Sequence, residues 1–308
     1  MDYEVEHGIM PATKARYEIY FPSSKDSKPP CVLLIHGFQG KLEFHRGTAI
    51  RLANTGICCL IVDMLPLMSF FKETRLKLRE ANVQAILSYI QWLKENKNER
   101  IDTTRILLSG HSAGGAVAFE TAVYLTNNEI VGVLLLDAVP WISTLDKGMS
   151  CSHLTAPGYK EVTSPLLNKV IVMSFRGEPT SFNADGLVLE LLARSIQKDA
   201  ASFDLKIISA RHGDFISSSP TSQSSPADGK ILNMIMNCLG LFSPNVKIRE
   251  HIQNLIVSFC QSVLFKDGAQ KLAFENQVEA MLKEKVIEIG QVDQTLPSKR
   301  EKLPPFLQ

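Results

Sequence analysis

Two kinds of apolar pattern alternate along the chain. Short, mostly apolar runs occur at Cys31 to Ile35, Ile57 to Val62, Ile106 to Leu108, Val131 to Leu136, Val170 to Phe175 and Leu205 to Ser209. Runs this short, with hardly a polar position to face water, read as strands buried on both faces of a parallel sheet. Between them the apolar residues recur at helical spacing. Leu76, Val83, Ile86, Leu87, Ile90 and Leu93 stripe Arg75 to Lys94, and Ile248, Ile252, Leu255, Ile256, Phe259 and Val263 stripe Val246 to Phe265. Further helices are expected over Lys41 to Asn54, Ala113 to Leu125 and Leu187 to Gln197, and one charged amphipathic helix over Gln270 to Ile289. Tyr17 to Phe21 alternates weakly, as an outer strand would, while Pro22 to Pro30 and Ser217 to Asp228 are turn-rich connectors.

Strand and helix in repeated alternation predict an α/β fold: a mostly parallel central sheet with helices on both faces, and chemistry at the carboxyl ends of the strands. With 308 residues, 45% of them hydrophobic, the chain can bury one large core. The expected division is a domain over 1–266, with lid or pocket insertions at 64–72 and 138–169, and a helical or disordered extension over 267–308. Neither an internal repeat nor a nucleotide-type glycine loop is present.

A net charge of +1 provides no global basic field, so nucleic acid and anionic membrane surfaces are not the expected partners. The six cysteines, at 31, 58, 59, 151, 238 and 260, form no Cys-x-x-Cys pair. They read as reduced structural thiols in a cytoplasmic protein rather than as a disulfide framework or a zinc site. Met1 to Met10 carries Asp2, Glu4 and Glu6 and no apolar signal region, and no apolar run approaches the roughly 18 residues of a membrane span.

The chemistry centres on Gly110-His111-Ser112-Ala113-Gly114-Gly115, directly behind the strand Ile106 to Leu108 and opening a helix without proline. Strand, Gly-x-Ser-x-Gly turn and helix describe a nucleophile elbow with Ser112 as nucleophile. Glycines suit this turn because a Cβ at Gly110 or Gly114 would meet the adjoining strand or helix. His36, Asp137, Glu178 and His212 also fall just past predicted strand ends.

With His36-Gly37-Phe38 upstream, this elbow, and His212-Gly213-Asp214-Phe215 downstream, the chain resembles the alpha/beta hydrolase superfamily over roughly 15–266. Within it, the chain looks most like the chlorophyllase and platelet-activating-factor acetylhydrolase-like serine esterases. The resemblance implies an order of Ser112, Asp137 and His212, with Leu136-Asp137-Ala138-Val139-Pro140 at the place of the acid. Ala113 stands where chlorophyllases usually carry a larger charged residue, so ester cleavage rather than chlorophyll is what carries over.

On this reading His212 is the general base and Asp137 orients it, with Glu178 after the next strand and Asp185 as alternative acids. Backbone N–H groups of Phe38 and Ala113 would form the oxyanion hole, and His111 would lend structural support, pointing away from Oγ. Asp63 and Asp214 read as turn or capping residues. The apolar stretch Met64 to Phe71, and Trp141, Ile142, Leu145 and Met149, would either rim a pocket for an apolar acyl or alcohol group or complete the core. The expectation is a serine esterase or lipase acting on a small-molecule ester through an acyl-enzyme, without cofactor or metal. The opposing expectation is a catalytically inactive hydrolase-fold protein that binds a small ligand or a partner.

Overall fold

The computed structural model describes residues 3–24, 27–37, 40–64, 72–125, 129–138, 170–178, 202–217, 246–265 and 267–289. The strands are β1 (Tyr3–Ile9), β2 (Arg16–Pro22), β3 (Cys31–Ile35), β4 (Cys58–Val62), β5 (Ile106–His111), β6 (Gly132–Leu136), β7 (Ile171–Arg176), β8 (Ser202–Ile207) and β9 (Ile287–Ile289). Five longer helices accompany them among the described residues: α1 (Arg46–Asn54), α2 (Lys72–Asn96), α3 (Ala113–Tyr124), α4 (Val246–Leu264) and α5 (Gly268–Lys283). One-turn 3-10 helices cover Leu42–His45 and His212–Phe215.

Among the described residues, all nine strands join one sheet in the order β1-β2-β4-β3-β5-β6-β7-β8-β9. From β4 to β8 every neighbouring pair is parallel; β1 and β2 at one edge and β9 at the other are antiparallel. Since successive strand residues point to opposite faces, each apolar run feeds two cores at once. On one face Leu33, Ile35, Leu60, Leu108 and Leu135 pack with Val83, Ile86 and Ile90 of α2 and Val117 of α3. On the other, Leu34, Ile61, Leu134, Leu136 and Phe175 pack with Leu52 of α1, Ile252, Leu255 and Phe259 of α4, and Phe274 and Val278 of α5. The expected buried strands and the stripes of α2 and α4 therefore match the observed layers, with ends shifted by a few residues.

Three expectations are revised. Tyr17 to Phe21 is not an outer strand: all five residues are buried, because β1, for which no strand was expected, pairs along its outer edge. The helix expected from Lys41 starts as a 3-10 turn and becomes α-helical only at Arg46. The single helix expected over Gln270 to Ile289 ends at Lys283; Lys285 turns at φ 56° and the chain returns as β9, pairing Glu288 with Lys206 of β8. Residues 267–289 pack on the sheet through α5 and β9. The Asp267 carboxylate caps α5 by accepting from the Ala269 N–H at 2.9 Å, and Phe274 meets Phe259 edge-on at 5.6 Å between centroids. The helix expected over Leu187 to Gln197, most of both expected insertions, and the loop after Ser217 lie outside the described residues.

Phe274 is fully buried, so Phe274→Ala should cost about 3–5 kcal/mol in urea-denaturation stability through lost transfer energy and the cavity left behind. A cost below about 1 kcal/mol would show that α5 is dispensable to the core.

Candidate active site

Parallel strands deliver their carboxyl ends to one edge of the sheet, and the loops after β3, β5, β6, β7 and β8 meet there. Ser112 joins β5 to α3 at φ 55° and ψ −126°, a backbone conformation that costs a non-glycine residue about 1–3 kcal/mol. Neighbouring loops hold it. The Ser112 N–H donates to the Leu136 carbonyl at 3.0 Å, and the Gly115 N–H to the Ser112 carbonyl at 3.0 Å. Close approach explains the glycines: a Cβ on Gly110 would stand 2.2 Å from the Gly114 carbonyl oxygen, and one on Gly114 2.3 Å from that of His36. Any larger residue at either position would force the turn apart.

Asp137 follows β6 directly and is fully buried. Its N–H donates to the Phe175 carbonyl at 2.7 Å, which ties the residue to the end of β7. One carboxylate oxygen accepts from the Gly177 N–H at 2.9 Å, and the other accepts from His212 Nδ1 at 2.5 Å. Burying a carboxylate away from water is costly unless such donors satisfy it. With Nδ1 donating, the neutral ring keeps Nε2 free to accept a proton. His212 sits on a turn built for it: Asp214 accepts from the Arg211 N–H at 2.9 Å, and the Asp214 N–H returns a bond to the Arg211 carbonyl at 2.8 Å. Ser112 and His212 each keep 9% exposure.

The structure thus brings Asp137 to His212, whereas Glu178 is engaged elsewhere. Its carboxylate pairs with Lys206 Nζ at 2.9 Å and accepts from the Ser209 N–H at 3.2 Å. Asp185 and Phe38 lie outside the described residues. Ala113 opens α3, so its N–H belongs to the first turn, where donors have no intrahelical acceptor. Asp214 is the capping residue expected of it. Asp63 is instead an ionic strut, accepting from Arg16 Nε at 2.8 Å and lying 3.4 Å from His36 Nε2. His36 Nδ1 donates to the Gly37 carbonyl at 2.7 Å while its Nε2 accepts from the Met64 N–H at 3.1 Å, so one ring joins the loops after β3 and β4.

One contributor was not anticipated, and the support expected of His111 takes a particular form. Gly177 supplies a donor to Asp137, a backbone role hinted at only by a glycine just past a strand. The His111 ring lies 4.6 Å from that of His212, and His111 Nε2 donates to the His212 carbonyl at 2.9 Å. Burial and the neighbouring His212 push His111 down to about 3. His45, fully buried with neither ring nitrogen hydrogen-bonded, is pushed well below the ordinary histidine value, chiefly by burial. Among the described residues, no cluster of His, Cys, Asp and Glu could hold a metal ion, and no helix is long and apolar enough to cross a membrane.

Known proteins agree with this architecture. A family model for the alpha/beta hydrolase fold matches residues 79–170, from within α2 through the elbow and β6. A solved structure described as a "putative carboxylesterase" from Lactobacillus plantarum WCFS1 superposes with a TM-score of 0.53 at 13% identity, covering 78% of this chain and 100% of that one. A search of curated protein sequences finds no match. The chain has the alpha/beta hydrolase fold.

The buried histidines make stability pH-dependent. In the unfolded chain both take up a proton near the ordinary value of about 6.5, whereas the folded state resists it to well below that. Their neutral forms favour the fold fully above pH 6.5, and that contribution is lost progressively as pH falls below it, for His111 down to about 3. His45→Leu, which removes two unbonded ring nitrogens, should keep or raise the urea midpoint at pH 7 and flatten its decline between pH 6.5 and 4. An unchanged decline would exclude His45 as a source.

Proposed function

We propose that the protein is a serine carboxylic-ester hydrolase of the esterase or lipase kind. The observation that carries this reading is the 2.5 Å bond from His212 Nδ1 to a fully buried Asp137 carboxylate, with a serine strained at φ 55° on the β5–α3 turn directly after His111, whose ring lies 4.6 Å from that of His212. Glycine-bracketed serines occur in ordinary turns. A serine in this backbone conformation, directly after a residue whose ring meets that of a histidine held by a buried acid, is equipped for nucleophilic catalysis.

In the proposed reaction His212 Nε2 takes the Ser112 hydroxyl proton as Oγ attacks the ester carbonyl. The resulting imidazolium is stabilised by Asp137, and the tetrahedral oxyanion by the N–H groups of Ala113 and Phe38. Collapse breaks the bond to the alcohol oxygen, which leaves with the proton held by His212, and the acyl group stays on Ser112. Water then attacks the acyl-enzyme: His212 takes a proton from the water and returns it to Oγ as the acid leaves. All the steps are proton transfers and acyl transfer, so these side chains suffice.

The apolar stretch from Met64 to Phe71 supports a substrate with an apolar acyl or alcohol group, and the motif order supports a kinship with the chlorophyllase and platelet-activating-factor acetylhydrolase-like esterases. The proposed catalytic residues Ser112, Asp137 and His212 all lie within 1–266. Cys31, Cys58, Cys59 and Cys260 are free and buried, which supports a reducing, cytoplasmic setting.

p-Nitrophenyl esters across a series of acyl lengths should be hydrolysed, with longer chains preferred over acetate. Ser112→Ala should abolish turnover while the fold persists. Asp137→Asn should lower kcat by about 10⁴-fold, as loss of the tautomer-fixing acid does in triads, whereas Glu178→Gln should stay within about threefold, since it loses only a partly exposed ion pair. Full activity in Ser112→Ala, or the reverse ranking of the two acid variants, would contradict the assignment.

A further inference from the structure

His111 ends β5 and precedes Ser112, yet its ring lies among the other loops of the site. Its Nε2 is 2.9 Å from the main-chain carbonyl oxygen of His212, and the two ring centroids lie 4.6 Å apart with their planes tilted by 36°. A carbonyl oxygen only accepts, so Nε2 carries the proton and the ring is held in a single neutral tautomer. The other nitrogen faces the loop after β3: a Cβ built on Gly37 would stand 3.2 Å from His111 Nδ1 and 2.8 Å from Ser112 Cβ. The ring of His45, from the 3-10 turn that continues this loop, lies 5.9 Å away.

We propose that His111 is a positioning residue of the reaction: it holds the backbone and ring face of His212 and thereby sets the imidazole over Ser112 in register with the Gly37 loop. The proposal rests on the reading of Ser112 and His212 as nucleophile and base. Asp137 by itself grips His212 at one atom, Nδ1, and leaves the ring free to swing about that bond. A bond to the His212 carbonyl and a flat neighbour against its face remove that freedom. His111 is in turn locked by the sheet, since it pairs with Leu136 of β6, the residue before Asp137. Burial and the adjacent His212 also push its own titration down to about 3. It therefore remains the same neutral donor throughout the working pH range and adds no like charge when His212 becomes an imidazolium.

A misplacement of about 1 Å in a reacting group can cost about 100-fold in rate. His111→Phe keeps a flat, buried ring and removes the N–H; His111→Gln restores a donor of similar reach. In His111→Phe, kcat for a p-nitrophenyl ester should fall by about 10- to 100-fold with KM within about twofold, and His111→Gln should recover about tenfold or more of any larger loss. Proton NMR provides a readout independent of turnover. The downfield resonance of the His212 Nδ1–H in its bond to Asp137 should shift or broaden in His111→Phe and return toward the wild-type position in His111→Gln. Should His111→Phe fail to fold, His111→Asn, whose amide is too short to reach the carbonyl, takes its place. Unchanged kcat with an unchanged resonance, or a loss confined to KM, would overturn the proposal. A wild type that cleaves no ester would overturn the hydrolase reading instead, and the resonance would still decide whether His111 positions His212.

Discussion

A serine at φ 55° and ψ −126° persists only where its surroundings leave no alternative, and here that constraint is the close approach of backbone at the β5–α3 turn. Gly114 lies so near the His36 carbonyl, and Gly110 so near Gly114, that no side chain fits at either position. The same crowding brings three loops together. The turn is bonded to Leu136 at the end of β6, backed by Ile35 and His36 at the end of β3, and carries His111 into contact with the segment after β8. Relaxing the turn would move Ser112 away from the groups that its proposed chemistry needs.

The parallel sheet supplies what the turn alone cannot. Asp137 and His212 are 75 residues apart, yet β6, β7 and β8 are successive neighbours, so their following loops are neighbours as well. This topology also separates the candidate acids. Asp137 emerges directly from β6, beside the elbow strand, and its buried carboxylate is satisfied by Gly177 and His212. Glu178 emerges one strand further out and one residue later, where Lys206 on β8 and the Ser209 N–H engage it. Burying a carboxylate is costly unless it is hydrogen-bonded, and Gly177 and His212 both donate to Asp137.

Much of this was legible in the sequence because burial on both faces leaves a plain signature. Runs such as Cys31 to Ile35 and Cys58 to Val62 have no polar face, and only the centre of a covered sheet accommodates them. The edges were harder. β1 mixes Glu4, Glu6 and Gly8 with half-buried residues, so its pattern resembles a polar leader until β2 pairs with it. The break after Lys283 has neither Gly nor Pro to announce it; Lys285 adopts φ 56° because Ile287 gains a place in the core and pairing with β8. Of the candidate site, Ser112 and His212 were readable as motif residues, and Asp137 needed the resemblance to be preferred over Glu178. The contact of His111 with His212 was out of reach, since it joins residues 101 positions apart through a main-chain carbonyl, which has no side-chain signature.

The account stands or falls on whether Ser112 is an activated nucleophile. The most direct measurement is labelling of the folded protein with a fluorophosphonate, followed by mass spectrometry of the modified peptide, in wild type and His212→Ala. Stoichiometric modification at Ser112 in the wild type, and its loss in a folded His212→Ala variant, is the predicted result. No labelling of folded wild-type protein, or labelling that is indifferent to His212, would contradict it.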